Sequence, residues 1–274
     1  MKTSSNILHT EPPLARFLKN SRSLPSAQWV QYNTPSGQNI TPASSVKDLG
    51  VHLSPDMKWS LQANIAAQNG YKMANWVLSV FSDRSKDVLL TLYKSIVRSR
   101  LEYSCPVWNP YSIQDIKKLE STQRAFTRYI IGCQGMSYSD RLKKLGLMSL
   151  QRRRERYVII HMWKIWQGSA PNDLGISFFD HGRLGSRCNT PPMSKKSTLL
   201  TKSLYDNSFA VLGPRLSNYV PKEIKAAPSF EVFKSRLTSH LLNNIPDLPP
   251  VPGYTTPKSN SILDWNTGGL QQVV

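Results

Sequence analysis

The sequence predicts a mainly α fold, a helical bundle with a small N-terminal β-hairpin and disordered ends. Three observations carry that expectation. Apolar residues recur at helical spacing from Trp59 to about Gln167. Ser-x-x-Asp boxes at 112–115 and 137–140, and glycines at 132, 146 and 168, supply start and stop signals for helices. Strand-like patterning is confined to residues 28–58.

Residues 1–27 are polar and proline-punctuated and are expected to form a disordered arm. "QWVQYN" reads as a short strand, "TPSG" as a turn, and "VKDLGVHLS" as one second strand with Val46, Leu49 and Val51 as its apolar content. Two such pieces are too little sheet to stand alone. A helix over 60–81 should pack through Leu61, Ile65, Trp76 and Val80, and its end "WVLSVF" is apolar all round, which predicts burial. In 85–101 a wide apolar arc leaves Lys94 and Arg98 one turn apart on the other side, and Pro106 and Pro110 end the run. A third helix runs from Ser112 to Gly132, a short one from Ser137 to Gly146, and a fifth from Ser149 to about Gln167. Residues 183–203 read as a basic loop. "SFEVFKSRLTSHLL" places Phe230, Phe233, Leu237 and Leu241 on one helical face, and a proline-rich tail follows from 243.

The 274 residues carry a net charge of +18, and residues 84–168 alone hold 17 basic and 6 acidic side chains. So positive a region attracts polyanions, nucleic acid above all. At ~100° per residue, Lys117, Arg124 and Arg128 fall within about 40° of one another, opposite the arc of Leu119, Phe126 and Ile130. They form a stripe roughly 16 Å long, able to meet successive phosphates of one strand. In "SLQRRRERY" (149–157), Arg154 falls in the apolar arc with Leu150, Tyr157, His161 and Ile165. It is expected to be a buried, hydrogen-bonded arginine, and His161 a core histidine. Arg152, Arg153 and Arg156 are expected to face outward and bind an anion, with Arg141, Lys143 and Lys144 in the same neighbourhood.

Other chemistry is absent from the pattern. There is no Asp-Asp pair of the kind two-metal phosphoryl transfer uses, and no HExxH, GxSxG or phosphate-loop signature. No catalytic residue, metal or cofactor is expected, nor a small-molecule substrate. Cys105, Cys133 and Cys188 are far apart in sequence, which predicts neither a disulfide framework nor a zinc knuckle and fits an intracellular setting. No apolar run is long enough to span a bilayer, so no membrane partner is expected.

Five stretches in series resemble a known family. They are "VKDLGVHLSPDMKWSLQANI" (46–65), "LYKSIVRSRLEYSCPVWNP" (92–110), "IKKLESTQRAFTRYIIG" (116–132), "YSDRLKKLGLMSLQRRRERYVIIHMWKI" (138–165) and "FAVLGPRLSNYVPKEIKAAPSFEVFKSRL" (209–237). Together they are similar to the C-terminal part of reverse transcriptases from non-LTR retrotransposons, LINE type and jockey-like. Ser217 departs from the pattern, which has tryptophan there. The resemblance implies a disordered arm (1–27), a palm-end β remnant (28–58), a helical thumb-like domain (59–170), a C-terminal helical region with a basic loop (171–242) and the tail (243–274). It implies that the chain binds the backbone of an RNA–DNA or DNA duplex, with a palm domain in trans as a further partner. The family's "ADD" carboxylates lie upstream of the matching region, so the expectation is a polymerase fragment without its own catalytic site. A nucleic-acid-binding or interaction module retained by a host, or the product of a decayed element, is the alternative.

Overall fold

A computed structural model of the chain describes residues 43–174 and 204–243 without a break, and in addition 32–33, 35, 37, 39–40, 176, 178–179, 187–188 and 261–263. The arm 1–27, the loop 183–203 apart from 187–188, and most of the tail beyond 243 lie outside the described residues. The fold is mainly α, with strands confined to short antiparallel pairs.

Near the N-terminus, β1 (Tyr32–Asn33) pairs with β2 (Asn39–Ile40), with Tyr32 opposite Ile40. The stretch "VKDLGVHL" is not one strand. It folds back on itself as β3 (Val46–Asp48) and β4 (Val51–Leu53), joined by Leu49 and Gly50. Both joining residues have positive φ, +43° and +86°, as a two-residue primed turn requires. Leu49 therefore sits at the hairpin tip and is 86% exposed, where the apolar pattern placed it in the strand.

The helices follow. Ser60–Val80 is α1, Lys86–Leu92 is α2, a π turn covers Tyr93–Val97, and Arg98–Glu102 is α3. Ile113–Phe126 is α4, continued by a 3-10 turn at Thr127–Tyr129. Tyr138–Leu145 is α5 and Leu150–Trp166 is α6. After the β5 (Phe178–Phe179) and β6 (Arg187–Cys188) pair come α7 (Phe209–Asn218), α8 (Lys222–Lys225) and α9 (Phe230–Asn243).

Local chemistry explains the boundaries. Ser137 caps α5 by accepting from Asp140 N–H at 3.2 Å, and Gly146 ends it in the left-handed region. Ser149 caps α6 by accepting from Arg152 N–H at 3.3 Å. The box at Ser112 behaves differently. Asp115 turns away from the cap and accepts from the Ser60 hydroxyl at 2.6 Å, joining the starts of α1 and α4. The third helix also ends earlier than Gly132, because the backbone becomes extended at Ile130.

Two hydrophobic clusters form the interior. The first gathers α1 to α5 around Leu89, Tyr93, Leu101, Trp108, Leu119 and Phe126. The second gathers α6, α7 and α9 around Ile159, Trp163, Leu216, Phe233 and Leu237. Leu150 belongs to the first and Val158 to the second, so α6 is a central helix buried from two sides.

The packing face of α1 is not the one its large residues mark. Its buried side is Gln62, Ala63, Ala66, Ala67, Gly70, Ala74 and Val77, whereas Trp76 and Val80 are 47% and 56% exposed. The small residues bring α1 close against α3 and α4. Lys118 donates to Asn64, and a Cβ at Gly70 would lie 2.5 Å from Leu101 Cδ2. Leu101 is fully buried and cannot swing aside.

Gly70→Ala should therefore destabilise the fold. Overpacking costs about 1–3 kcal/mol, more than the roughly 1 kcal/mol that alanine gains in a helix interior. The urea midpoint should fall, and an unchanged or higher midpoint would refute the close approach.

Candidate nucleic-acid interface

Helix α4 separates two kinds of polar residue. Its inner side carries Glu120 and Gln123, both buried. Glu120 accepts from Leu150 N–H at 2.9 Å and from the Tyr138 hydroxyl. Gln123 accepts from Tyr93 Oη at 2.6 Å and donates to Tyr138 Oη at 2.9 Å and Met148 O at 3.0 Å. Burial, and then the charge of nearby carboxylates, raises both tyrosines well above the usual phenol range, so they remain neutral donors. This network orients the whole helix.

The outer side carries the predicted stripe. Lys117, Arg124 and Arg128 are all exposed, and among the described residues none makes an ion pair. Leu119, Phe126 and Ile130, the opposing arc, are fully buried. Arg128 lies in the 3-10 turn rather than on α4 itself. Arg124 rests with its guanidinium carbon Cζ 4.8 Å from the centre of the Tyr138 ring, a cation–π contact that holds the head in place while the residue stays exposed. Lys143 and Lys144 on α5 are exposed too, and Lys144 Nζ donates to Gly132 O at 2.5 Å.

The other predicted cations sit differently. Arg141 is buried, not outward. Its guanidinium donates to Thr127 Oγ1 at 3.2 Å, Met136 O at 3.0 Å and Arg124 O at 3.1 Å, closing the C-terminal end of α4. Arg152 was expected to face outward and is 0% exposed, with Glu155 4.0 Å away. Arg153 is half-buried and holds Glu102 with two donors, one of them NH2 to Oε2 at 2.9 Å. Arg156, also half-buried, donates to Thr238 Oγ1 of α9 at 2.9 Å. For Arg152 and Arg156 the reason is the second layer, since α7 and α9 cover the side of α6 that a one-sided helix would leave wet, whereas Arg153 is drawn in by Glu102 of α3. Arg154 is 1% exposed and donates to Asn109 Oδ1 at 3.2 Å. His161, expected in the core, is exposed and meets Phe209 edge-on at 5.2 Å between ring centres.

The polar residues of the inner network were not singled out from the sequence. The signal was present, since Glu120 follows Ile116 by one helical turn and so falls beside the apolar arc. A carboxylate there must be met by donors.

Among the described residues no group of three His, Cys, Asp or Glu is placed to hold a metal ion. No helix among them is long and apolar enough to cross a membrane. Burial pushes the Cys105 thiol up to about 12, which keeps it protonated.

No family model matches the chain, and no solved structure matches it. The chain is similar to an uncharacterized protein of Caenorhabditis elegans, 25% identical over 114 residues. The match takes in 40% of this chain and 58% of that relative, so the chain spans less than two thirds of the relative's length.

Glu155 gives the interior a pH dependence. Burial pushes its carboxyl up to about 7, against the opposing pull of Ser261, Ile262 N–H, Arg152 and Arg154. The folded state thus holds a proton that the unfolded chain releases near 4.5, and this group's contribution to stability falls as pH rises from about 4.5 to 7. Burial lowers His161 and His240, which tilts the dependence the other way. Comparison with Glu155→Gln isolates the carboxyl. The variant should match wild type at pH 5 and gain on it by on the order of 1–3 kcal/mol at pH 8. Parallel curves for the two proteins would contradict this.

Proposed function

We propose that the chain is the palm-end and thumb-like part of a non-LTR retrotransposon reverse transcriptase, and that it grips the backbone of an RNA–DNA or DNA duplex without polymerising by itself. The observation that carries the reading is the row of Lys117, Arg124 and Arg128. Lys117 and Arg124 on α4 and Arg128 in the 3-10 turn that continues it are all exposed, the helix is fixed by buried hydrogen bonds, and no carboxylate among the described residues neutralises these cations. Cations left free in this way exchange counterions for phosphates, which gives affinity with little sequence choice. The ordered series of family-like stretches supports the same reading. Lys143 and Lys144 extend the positive surface along α5.

A palm partner in trans is favoured by a separate feature. Leu49, Tyr103 and Val107 are 86%, 57% and 59% exposed, and Tyr103 Oη donates to Leu49 O at 3.0 Å, so the hairpin tip and the chain after α3 present apolar side chains together.

The test is a titration of the purified chain with labelled RNA–DNA hybrid at several salt concentrations. Each phosphate contact adds about −0.9 to the slope of log affinity against log salt on duplex DNA. Arg124→Glu with Arg128→Glu should weaken binding and flatten the slope by roughly 2, with unchanged helix content. A flat slope in the wild-type protein, or equal affinity in the variant, would defeat the reading.

A further inference from the structure

Apart from the α4 stripe, the α3 and α6 helices carry a second gathering of cations that the duplex reading does not use. Glu102, at the end of α3, is almost fully buried and has more positive neighbours than it can neutralise. Arg153 grips both its oxygens, Arg98 Nε lies 3.7 Å from Oε2, and the Tyr157 hydroxyl donates to Oε2 at 3.3 Å. Tyr157 also draws in a third arginine. The Cζ atoms of Arg153 and Arg156 lie 5.5 and 5.9 Å from its ring centre. Lys94 lies one turn before Arg98, on the π turn, and is exposed. Three arginines thus gather at one carboxylate, with Lys94 close enough to Arg98 and Arg153 to feel their charge.

We infer that Lys94, Arg98, Arg153 and Arg156 form a second phosphate-binding site, built around Glu102 and Tyr157 and carried by elements other than α4. Two adjacent pairs of residues relate the site to the α4 stripe. On α4, Gln123 turns inward and Arg124 outward. On the π turn, Tyr93 turns inward to donate to Gln123, and Lys94 outward. The two cationic rows therefore flank the same buried hydrogen bond from different elements.

The arrangement is pre-organised for an anion. Arg153 is held by Glu102 and Tyr157, and Arg156 by Thr238 at 2.9 Å, so their positions do not depend on a ligand. The site is also under electrostatic tension. Burial lowers Lys94, Arg98 and Arg156 from their ordinary values, and Arg153 lowers all three further. A phosphate group would relieve that repulsion, and guanidinium forks suit its geometry. The interrupted helix fits such a role, since π turns recur at functional sites. The phosphate could belong to a nucleic-acid strand or to a free phosphate compound, and only the first source rests on the duplex reading.

The experiment compares wild type, Lys94→Gln, Lys94→Gln/Arg98→Gln and a stripe variant, Lys117→Gln/Arg124→Gln/Arg128→Gln. Each is titrated with labelled RNA–DNA hybrid across a salt series and, separately, with inorganic phosphate while the melting temperature is followed. Lys94 is exposed, so its substitution leaves the fold intact and keeps the test valid if the double variant is unstable. For a strand phosphate, Lys94→Gln should flatten the salt slope by about 1, in addition to the loss from the stripe variant. For a free phosphate compound, inorganic phosphate should raise the melting temperature of wild type and stripe variant but not of Lys94→Gln. If Lys94→Gln leaves both the slope and the phosphate response as in wild type, the second site is overturned, whatever the stripe variant does. If only the stripe variant fails to change the slope, the duplex grip of α4 falls and the second site stands.

Discussion

The structure depends most on one buried carboxylate. Glu120 lies on the inner side of α4, and a carboxylate taken out of water must be met by donors or lose its charge. It is met by the first backbone N–H of α6, at Leu150, and by the hydroxyl of Tyr138 on α5. The positive end of the α6 dipole adds to the same balance. Three helices are thereby fixed to one point. Gln123, one turn on, ties that point to Tyr93 and to Met148 O. Glu120 and Gln123 lie beside the apolar arc and are buried, while Lys117 and Arg124, further round α4, and Arg128 in the 3-10 turn after it are exposed. The proposed binding surface borders the face that the helix buries.

The cations divide along the same lines. Arg141, Arg152 and Arg154 are enclosed and bind carbonyls, a carboxylate or an amide, so they act on the fold. Lys117, Arg124, Arg128 and Lys143 are exposed and make no ion pair among the described residues. Arg153 and Arg156 are intermediate, anchored at one end and near a second positive cluster. Net charge alone does not separate these classes, although it points to a polyanion.

Much of this was legible in the sequence. The α4 stripe follows from spacing, since α4 is covered on one side only, and one apolar arc then predicts the other face. The cap at Ser137, the stop at Gly146 and the face of Phe233, Leu237 and Leu241 follow in the same way. For α6 a single wet face was assumed, but α7 and α9 cover it, so Arg152 is enclosed and His161 is not. For α1 the large apolar residues were taken as the packing face, but Ala63, Ala67, Gly70 and Ala74 allow a closer approach and leave Trp76 outside. For 46–53 the alternation suited a strand, but Leu49 and Gly50 turn it back with positive φ. The first two errors concern partner elements far away in sequence, which local periodicity does not encode, and the third a two-residue turn within the stretch itself.

The account's central claim is that Arg124 and Arg128 are free cations at the end of α4 while Arg152 and Arg154 of α6 are structural. Arginine modification of the native chain by a dicarbonyl reagent, read by mass spectrometry with and without RNA–DNA hybrid, tests it most directly. The account predicts fast reaction at Arg124 and Arg128, protection of both by the hybrid, and no reaction at Arg152 and Arg154 until the chain is unfolded. Ready modification of Arg152 or Arg154 in the native chain, or reaction at Arg124 and Arg128 that hybrid leaves unchanged, would contradict it.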